Sequence, residues 1–192
     1  MNPVEITASV LGFICVFLAI RQNIWNFPVA IASTVLYVFI FFEAKLYSDT
    51  ILQLFFIGFQ IYGWYNWLYG GENKTVLPVT DNPLSENLVW LLIGFSGSVF
   101  TGFIMISYTD ASFPFLDSIV LVFSLIAQWM MSAKKIENWI LWIGIDILAI
   151  GIYYAKELYS TSILYALFLV LAAMGYFQWK KNLTTNRKSL PV

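Results

Sequence analysis

Seven apolar runs, each close to 20 residues long, constrain this chain more than anything else in it. They fall at about 3–20, 24–43, 49–68, 87–108, 115–133, 138–155 and 160–179. A helix rises about 1.5 Å per residue, so a run of about 20 crosses the roughly 30 Å hydrocarbon core of a bilayer. Inside that core each backbone N–H and C=O must find its partner within the segment, which a helix provides. Only 11% of the 192 residues are charged and 60% are hydrophobic, against about a quarter charged in soluble domains. Water cannot be the main solvent of such a chain. The expected fold is all-α and polytopic, with seven transmembrane helices.

The first run has no signal-peptide character. Met1-Asn2-Pro3-Val4-Glu5 puts an acid where a basic region should stand, so this run is read as a retained helix. The connections are short and polar, as at Arg21-Gln22-Asn23 and Ala133-Lys134-Lys135. One long connection, Gly70 to Glu86, forms the natural internal boundary. From Lys180 onward the chain is polar, and its end is expected to fray. Cations in alternate connections set the orientation. Arg21, Lys74, Lys134, Lys135, Lys180, Lys181, Arg187 and Lys188 fall on one side, against Lys45 and Lys156 on the other. The first side is expected to be cytoplasmic, which puts the N-terminus outside and the C-terminus inside.

Several chemistries are excluded by residue type. There is no histidine, hence no imidazole base, metal ligand or proton relay. A single cysteine, Cys15, allows neither an internal disulfide nor a thiolate metal cage. It is read as a small buried hydrophobe. An intramembrane enzyme would lack a nucleophile–base pair, so no catalytic residue, metal or cofactor is expected. A net charge of −1 without a long basic run offers nothing to nucleic acid.

The chain repeats itself. A shift of 112 residues lays Asn26 on Asn138, Leu46-Tyr47-Ser48 on Leu158-Tyr159-Ser160, Ile51-Leu52 on Ile163-Leu164, Phe56 on Phe168, Gly63 on Gly175 and Trp67 on Trp179. About 12 of the 42 positions from 26 to 67 are identical. The same shift lays Glu5 on Asp117. Three helices end on the side opposite their start, so a directly joined copy would be inverted. The run at 87–108 restores the direction and makes the copies parallel, three plus one plus three. The expected division is 1–68 as the first repeat, 69–110 as loop and linker helix, 111–181 as the second repeat and 182–192 as a cytoplasmic tail. Parallel repeats of this kind are a transporter architecture, with the substrate between the halves near the midplane.

Candidate site residues follow from polar groups set in apolar helices. Trp139, Trp142 and Asp146 recur at three and then four residues, one helical face. An acid at membrane depth usually faces a cavity or a substrate. Lys134 and Lys135 lie at one membrane edge and Lys156 at the other, so no basic partner sits at its depth. Its shifted mate is Thr34, so the charge belongs to one half. Asn138 opens the same helix, and Tyr153 lies two turns beyond Asp146. Gln53, Gln60, Trp64 and Trp67 form a second stripe on the third helix. Aromatic faces attract cations, and two amides with one carboxylate add hydrogen bonds and charge. The site expected from Gln53, Gln60, Trp64, Asn138, Trp139, Trp142, Asp146 and Tyr153 fits a small, flat, cationic heterocycle.

The segments Leu52-Gln53-Leu54-Phe55-Phe56, Tyr62-Gly63-Trp64-Tyr65-Asn66-Trp67, Phe113-Pro114-Phe115-Leu116-Asp117-Ser118 and Glu137-Asn138-Trp139-Ile140-Leu141-Trp142 resemble the PnuC family of bacterial vitamin transporters. The resemblance covers nearly the whole chain. It implies a full-length fold related to the SWEET sugar transporters and facilitated diffusion through the inner membrane. Homotrimers are in keeping with it. Nicotinamide riboside members usually carry asparagine where this chain has Asp146, whereas aspartate is associated with the thiamine branch, PnuT. Thiamine is therefore the first expected substrate and nicotinamide riboside the alternative. Riboflavin ranks last, because a neutral flavin gains nothing from the carboxylate.

Overall fold

A computed structural model describes the backbone of residues 3–43, 47–109 and 112–189. Seven helices account for most of it: α1 (Pro3–Ile20), α2 (Asn26–Glu43), α3 (Tyr47–Tyr69), α4 (Leu84–Tyr108), α5 (Pro114–Ser132), α6 (Glu137–Ala155) and α7 (Tyr159–Ser189). Six are long and apolar enough to cross a membrane. The exception is α3, which carries Gln53, Gln60 and Asn66. Lys45, Leu46 and residues 190–192 of the expectations above lie outside the described residues. The tail differs from expectation. The expected span ends at 179, whereas α7 continues to Ser189, and no Gly or Pro stands between Lys180 and Ser189 to break it.

The helix neighbours follow one pattern. α1 packs on α2 and α2 on α3, while α5 packs on α6 and α6 on α7. Two seams join these groups, α3 with α5 and α1 with α7. Exchanging α1, α2 and α3 for α5, α6 and α7 leaves this pattern unchanged. α4 docks on the outside of α5. Its buried Gly94 and Gly102 face the rings of Phe123 and Phe115, in the space a Cβ would take.

The turns that end α1 and α5 share a geometry. Gln22 and Lys134 take left-handed φ values of 55° and 56°. The Gln22 N–H donates to the Ala19 carbonyl and the Asn23 N–H to that of Leu18, both at 2.9 Å. The N–H groups of Lys134 and Lys135 donate likewise to Met131 and Met130. This pattern satisfies carbonyls that a helix end leaves free. Both turns lie at the end that also bears Arg21, Lys74, Lys135, Lys180 and Lys181, called here the basic end.

Four large rings fill the basic end. Phe27 meets Trp67 edge-on at 5.0 Å, Trp139 meets Trp179 edge-on at 5.5 Å, and Trp67 and Trp179 touch at 5.7 Å. The Trp67 indole N–H donates to the Met131 carbonyl at 3.0 Å, and that of Trp179 to the Ala19 carbonyl at 3.1 Å. Glycine is needed beneath both rings. A Cβ on Gly63 would fall 2.6 Å from the Phe27 ring, and one on Gly175 2.6 Å from the Trp139 ring.

The long connection is tied down across this end. Leu77 N–H donates to the Trp67 carbonyl at 3.0 Å. The Thr80 N–H donates to the Lys134 carbonyl at 3.2 Å, and the Thr80 carbonyl accepts from the Ile136 N–H at 2.9 Å. Asn82 N–H donates to Glu137 Oε1 at 2.8 Å. Val79 is buried in the same cluster as the four rings. Lys134 closes the strap from below, its ammonium donating to the Leu77 carbonyl at 2.8 Å and lying 4.5 Å from the Trp67 ring centre. Burial pushes that ammonium down to about 8 from the ordinary lysine value of 10.5.

Candidate functional site

Above the four rings lies a cavity of about 300 Å³, lined by α1, α2, α3, α5, α6 and α7. Asp146 is its charged side chain, 4% exposed, and no Lys or Arg is in the lining. Lys156 instead pairs with Asp117, at 3.3 Å, between the end of α6 and the start of α5. Asp146 therefore faces the cavity without a permanent cation.

α2 and α3 supply the facing wall. Thr34 donates to the Ala30 carbonyl at 2.8 Å and accepts from Gln60 Nε2 at 3.0 Å. That geometry fixes the Gln60 amide and leaves its Oε1 buried without a partner. Trp139 Nε1 is likewise buried and unpartnered. A buried polar atom without a partner is worth about 1–3 kcal/mol when satisfied. The lining thus holds one acceptor on α3, Gln60 Oε1, and one donor on α6, Trp139 Nε1, with capacity to spare. Trp142, Phe56 and Phe168 complete it with aromatic surface.

Of the residues expected at the site, Gln53, Gln60, Trp139, Trp142 and Asp146 are brought together in the lining. Trp64, Asn138 and Tyr153 are not among the lining residues. At the depth of Trp64, α3 turns Gly63 and Trp67 into the ring cluster, and Trp64 is left 39% exposed. Asn138 is fully buried, and its side-chain amide donates to the Lys135 carbonyl across the α5–α6 turn. Asn26 does the same with Asn23 at 2.7 Å. Tyr153 stacks on Tyr165 at 5.2 Å, and Tyr165 takes the wall position. Cys15 also departs from expectation: it is half-buried and lines the cavity.

Sequence reasoning missed Asn26, Tyr37, Phe56, Gln128, Tyr165 and Phe168, which all line the cavity. The 112-residue shift carried a usable signal for several. It lays Tyr165 on Gln53, Phe168 on Phe56, Gln128 on Val16 and Trp142 on Ala30, and all eight residues line the cavity.

Seven helices, six of them long and apolar enough to cross a membrane, and a polar and aromatic cavity between the two helix groups define a polytopic small-molecule carrier. The chain belongs to the family described as nicotinamide mononucleotide transporter, whose model matches residues 2–181. It is similar to the nicotinamide riboside transporter PnuC of Escherichia coli (strain K12), 28% identical over 204 residues, covering 93% of this chain and 85% of that one. It is also similar to the riboflavin/roseoflavin transporter RibM of Streptomyces davaonensis, 23% identical over 191 residues, covering 98% and 88%. A crystal structure of the vitamin B3 transporter PnuC shares the fold, with a TM-score of 0.75 at 24% identity over 96% of this chain and 84% of that one. The chain is thus a membrane vitamin transporter of the PnuC family.

Proposed function

We propose that this chain carries nicotinamide riboside across the bacterial inner membrane by facilitated diffusion. One observation carries the reading: the cavity sets Asp146 among aromatic rings with no cation beside it. A pyridinium matches that arrangement in charge and in flatness. The lining also favours the riboside over its mononucleotide. A phosphate would enter a cavity that offers it a carboxylate and no Lys or Arg.

Thiamine, placed first on the identity of Asp146, is set aside. Both vitamins are cations, so the carboxylate does not separate them, and relatives named for nicotinamide riboside tip the choice. Riboflavin is the second reading, because a relative of similar coverage is named for it. In the proposed site Trp139 and Trp142 stack on the ring and Asp146 pairs with its charge. Gln53 and Gln60 bond from the facing wall.

Two parallel three-helix bundles, α1–α3 and α5–α7, rock about the site. Support comes from the paired turns at Gln22 and Lys134 and the paired indole bonds of Trp67 and Trp179. The excess of Lys and Arg at the basic end supports its facing the cytoplasm. Assembly as a homotrimer belongs to the same reading, and light scattering of the purified protein tests it.

The deciding experiment is calorimetry on purified protein with nicotinamide riboside, nicotinamide mononucleotide, thiamine and riboflavin in parallel. The reading expects binding of the riboside and at least tenfold weaker binding of the others. Tight thiamine or riboflavin binding with no riboside signal would reverse it. Uptake into liposomes without ion gradients tests facilitated diffusion, and a requirement for a proton or sodium gradient would contradict it.

A further inference from the structure

The two seams between the helix groups are unequal at the basic end. At the α3–α5 seam Trp67 bonds to the Met131 carbonyl at 3.0 Å and Asn66 to the Ser132 carbonyl at 3.0 Å. Ser132 donates back to the Phe59 carbonyl at 2.8 Å. Trp129 of α5 stacks on Tyr62 of α3 at 5.4 Å. The strap crosses this same seam and is held by Lys134.

The α1–α7 seam has much less. Phe13 stacks on Phe168 at 4.7 Å, a contact with no directional bond. At the basic end Trp179 donates across it to the Ala19 carbonyl at 3.1 Å. The position matched to Lys134 is Gln22, and with no strap above it the Gln22 Nε2 is buried without a partner.

We infer that the α3–α5 seam is the hinge and the α1–α7 seam the opening edge of the cavity at the basic end, with the Trp179–Ala19 bond as its latch. This rests on the reading of the chain as a carrier that opens its cavity to each side in turn. A hinge needs bonds that survive the motion, and three side-chain bonds, a ring stack and a strap meet that need. A latch needs a bond that can be broken at small cost. One indole–carbonyl bond has a net worth near 1 kcal/mol, which corresponds to about fivefold in an opening equilibrium.

The chain's single cysteine makes the test direct. Cys15 lines the cavity one helical turn before Ala19. Its labelling by a membrane-impermeant thiol reagent, applied to the basic face, reports opening of that end. Everted and right-side-out vesicles run in parallel identify the responding face, and C15A gives the blank. Trp179→Phe keeps a six-membered aromatic ring but removes the indole N–H with its five-membered ring, and should speed labelling at least about fivefold. Trp67→Phe should leave the labelling rate within about twofold while lowering the melting temperature.

Equal acceleration by both variants, or by neither, overturns the assignment. A second measurement needs no variant. Hydrogen–deuterium exchange of the wild-type protein in nanodiscs should be faster at residues 16–23 than at the matched residues 128–135. Equal or reversed rates overturn the proposal in the same way. Neither measurement uses substrate, so failure here is distinct from failure of the riboside reading.

Discussion

Asp146→Asn isolates the charge from the shape of the site. The substitution keeps volume and planarity and removes one negative charge from a side chain that is 4% exposed. A unit charge pair about 4 Å apart at an effective dielectric of about 20 is worth roughly 4 kcal/mol. Part of that survives in the variant, because an amide oxygen still accepts a hydrogen bond. The expected net loss is about 1–3 kcal/mol, the scale of a charge-assisted hydrogen bond, or about 5–150-fold in Kd. The control is the reduced 1,4-dihydro form of nicotinamide riboside, nearly the same in outline but without the ring charge. Calorimetry on both proteins with both ligands completes a four-way comparison. The riboside should weaken by the stated factor, and the dihydro form should change by less than about threefold. The melting temperature should hold or rise, because a buried carboxylate is exchanged for a neutral group. An equal loss for both ligands would show that Asp146 acts through shape or folding. No loss for either would remove it from the site.

Lys134 gives a pH prediction with a definite sign. The unfolded chain holds this proton to about 10.5 and the folded chain releases it near 8. Between those values the unfolded state binds more protons, so stability rises with pH. The melting temperature of the wild type minus that of Lys134→Met should climb from pH 8 to pH 10.5, and a flat difference would deny the shift. Gly175→Ala should cost about 1–3 kcal/mol by overpacking against the Trp139 ring. Gly58→Ala, which meets nothing within 4 Å, should be neutral or stabilising in the same melting assay. Thr34→Val removes the acceptor that holds Gln60 and should lower stability by about 1–3 kcal/mol. Riboside affinity should fall with it if Gln60 is a contact.

The helices were legible because apolar length is a property of each segment alone. All seven starts fall within three residues of expectation, and α5, α6 and α7 each begin one residue early. The far end of α7 was not legible, because polar helix and polar coil share a composition. Asp146 and Trp142 could be found because an acid and its helical period both show in sequence. Trp64 could not be excluded in the same way. It shares a stripe with Gln60, and what turns it outward is the filling of that depth by Phe27 and Trp67. Such packing depends on contacts between distant segments. The repeat bridges some of that distance, since it pairs Tyr165 with Gln53 and Phe168 with Phe56. It says nothing of the strap, which has no second copy.

The lone carboxylate of the cavity has an electrical consequence. With nicotinamide riboside bound, Asp146 and its cargo sum to zero, so the membrane potential exerts little force on the loaded carrier. If Asp146 stays ionised once the cargo leaves, the cavity holds one uncompensated negative charge. The voltage then acts on the empty carrier's return and favours the cavity facing the positive side. Over one cycle a single positive charge moves inward, worth about 2.3 kcal/mol per 100 mV. A carrier with no coupling ion would then concentrate its vitamin by up to about 50-fold at that potential. Collapsing the potential with an ionophore should abolish that accumulation and leave exchange of labelled for unlabelled substrate intact.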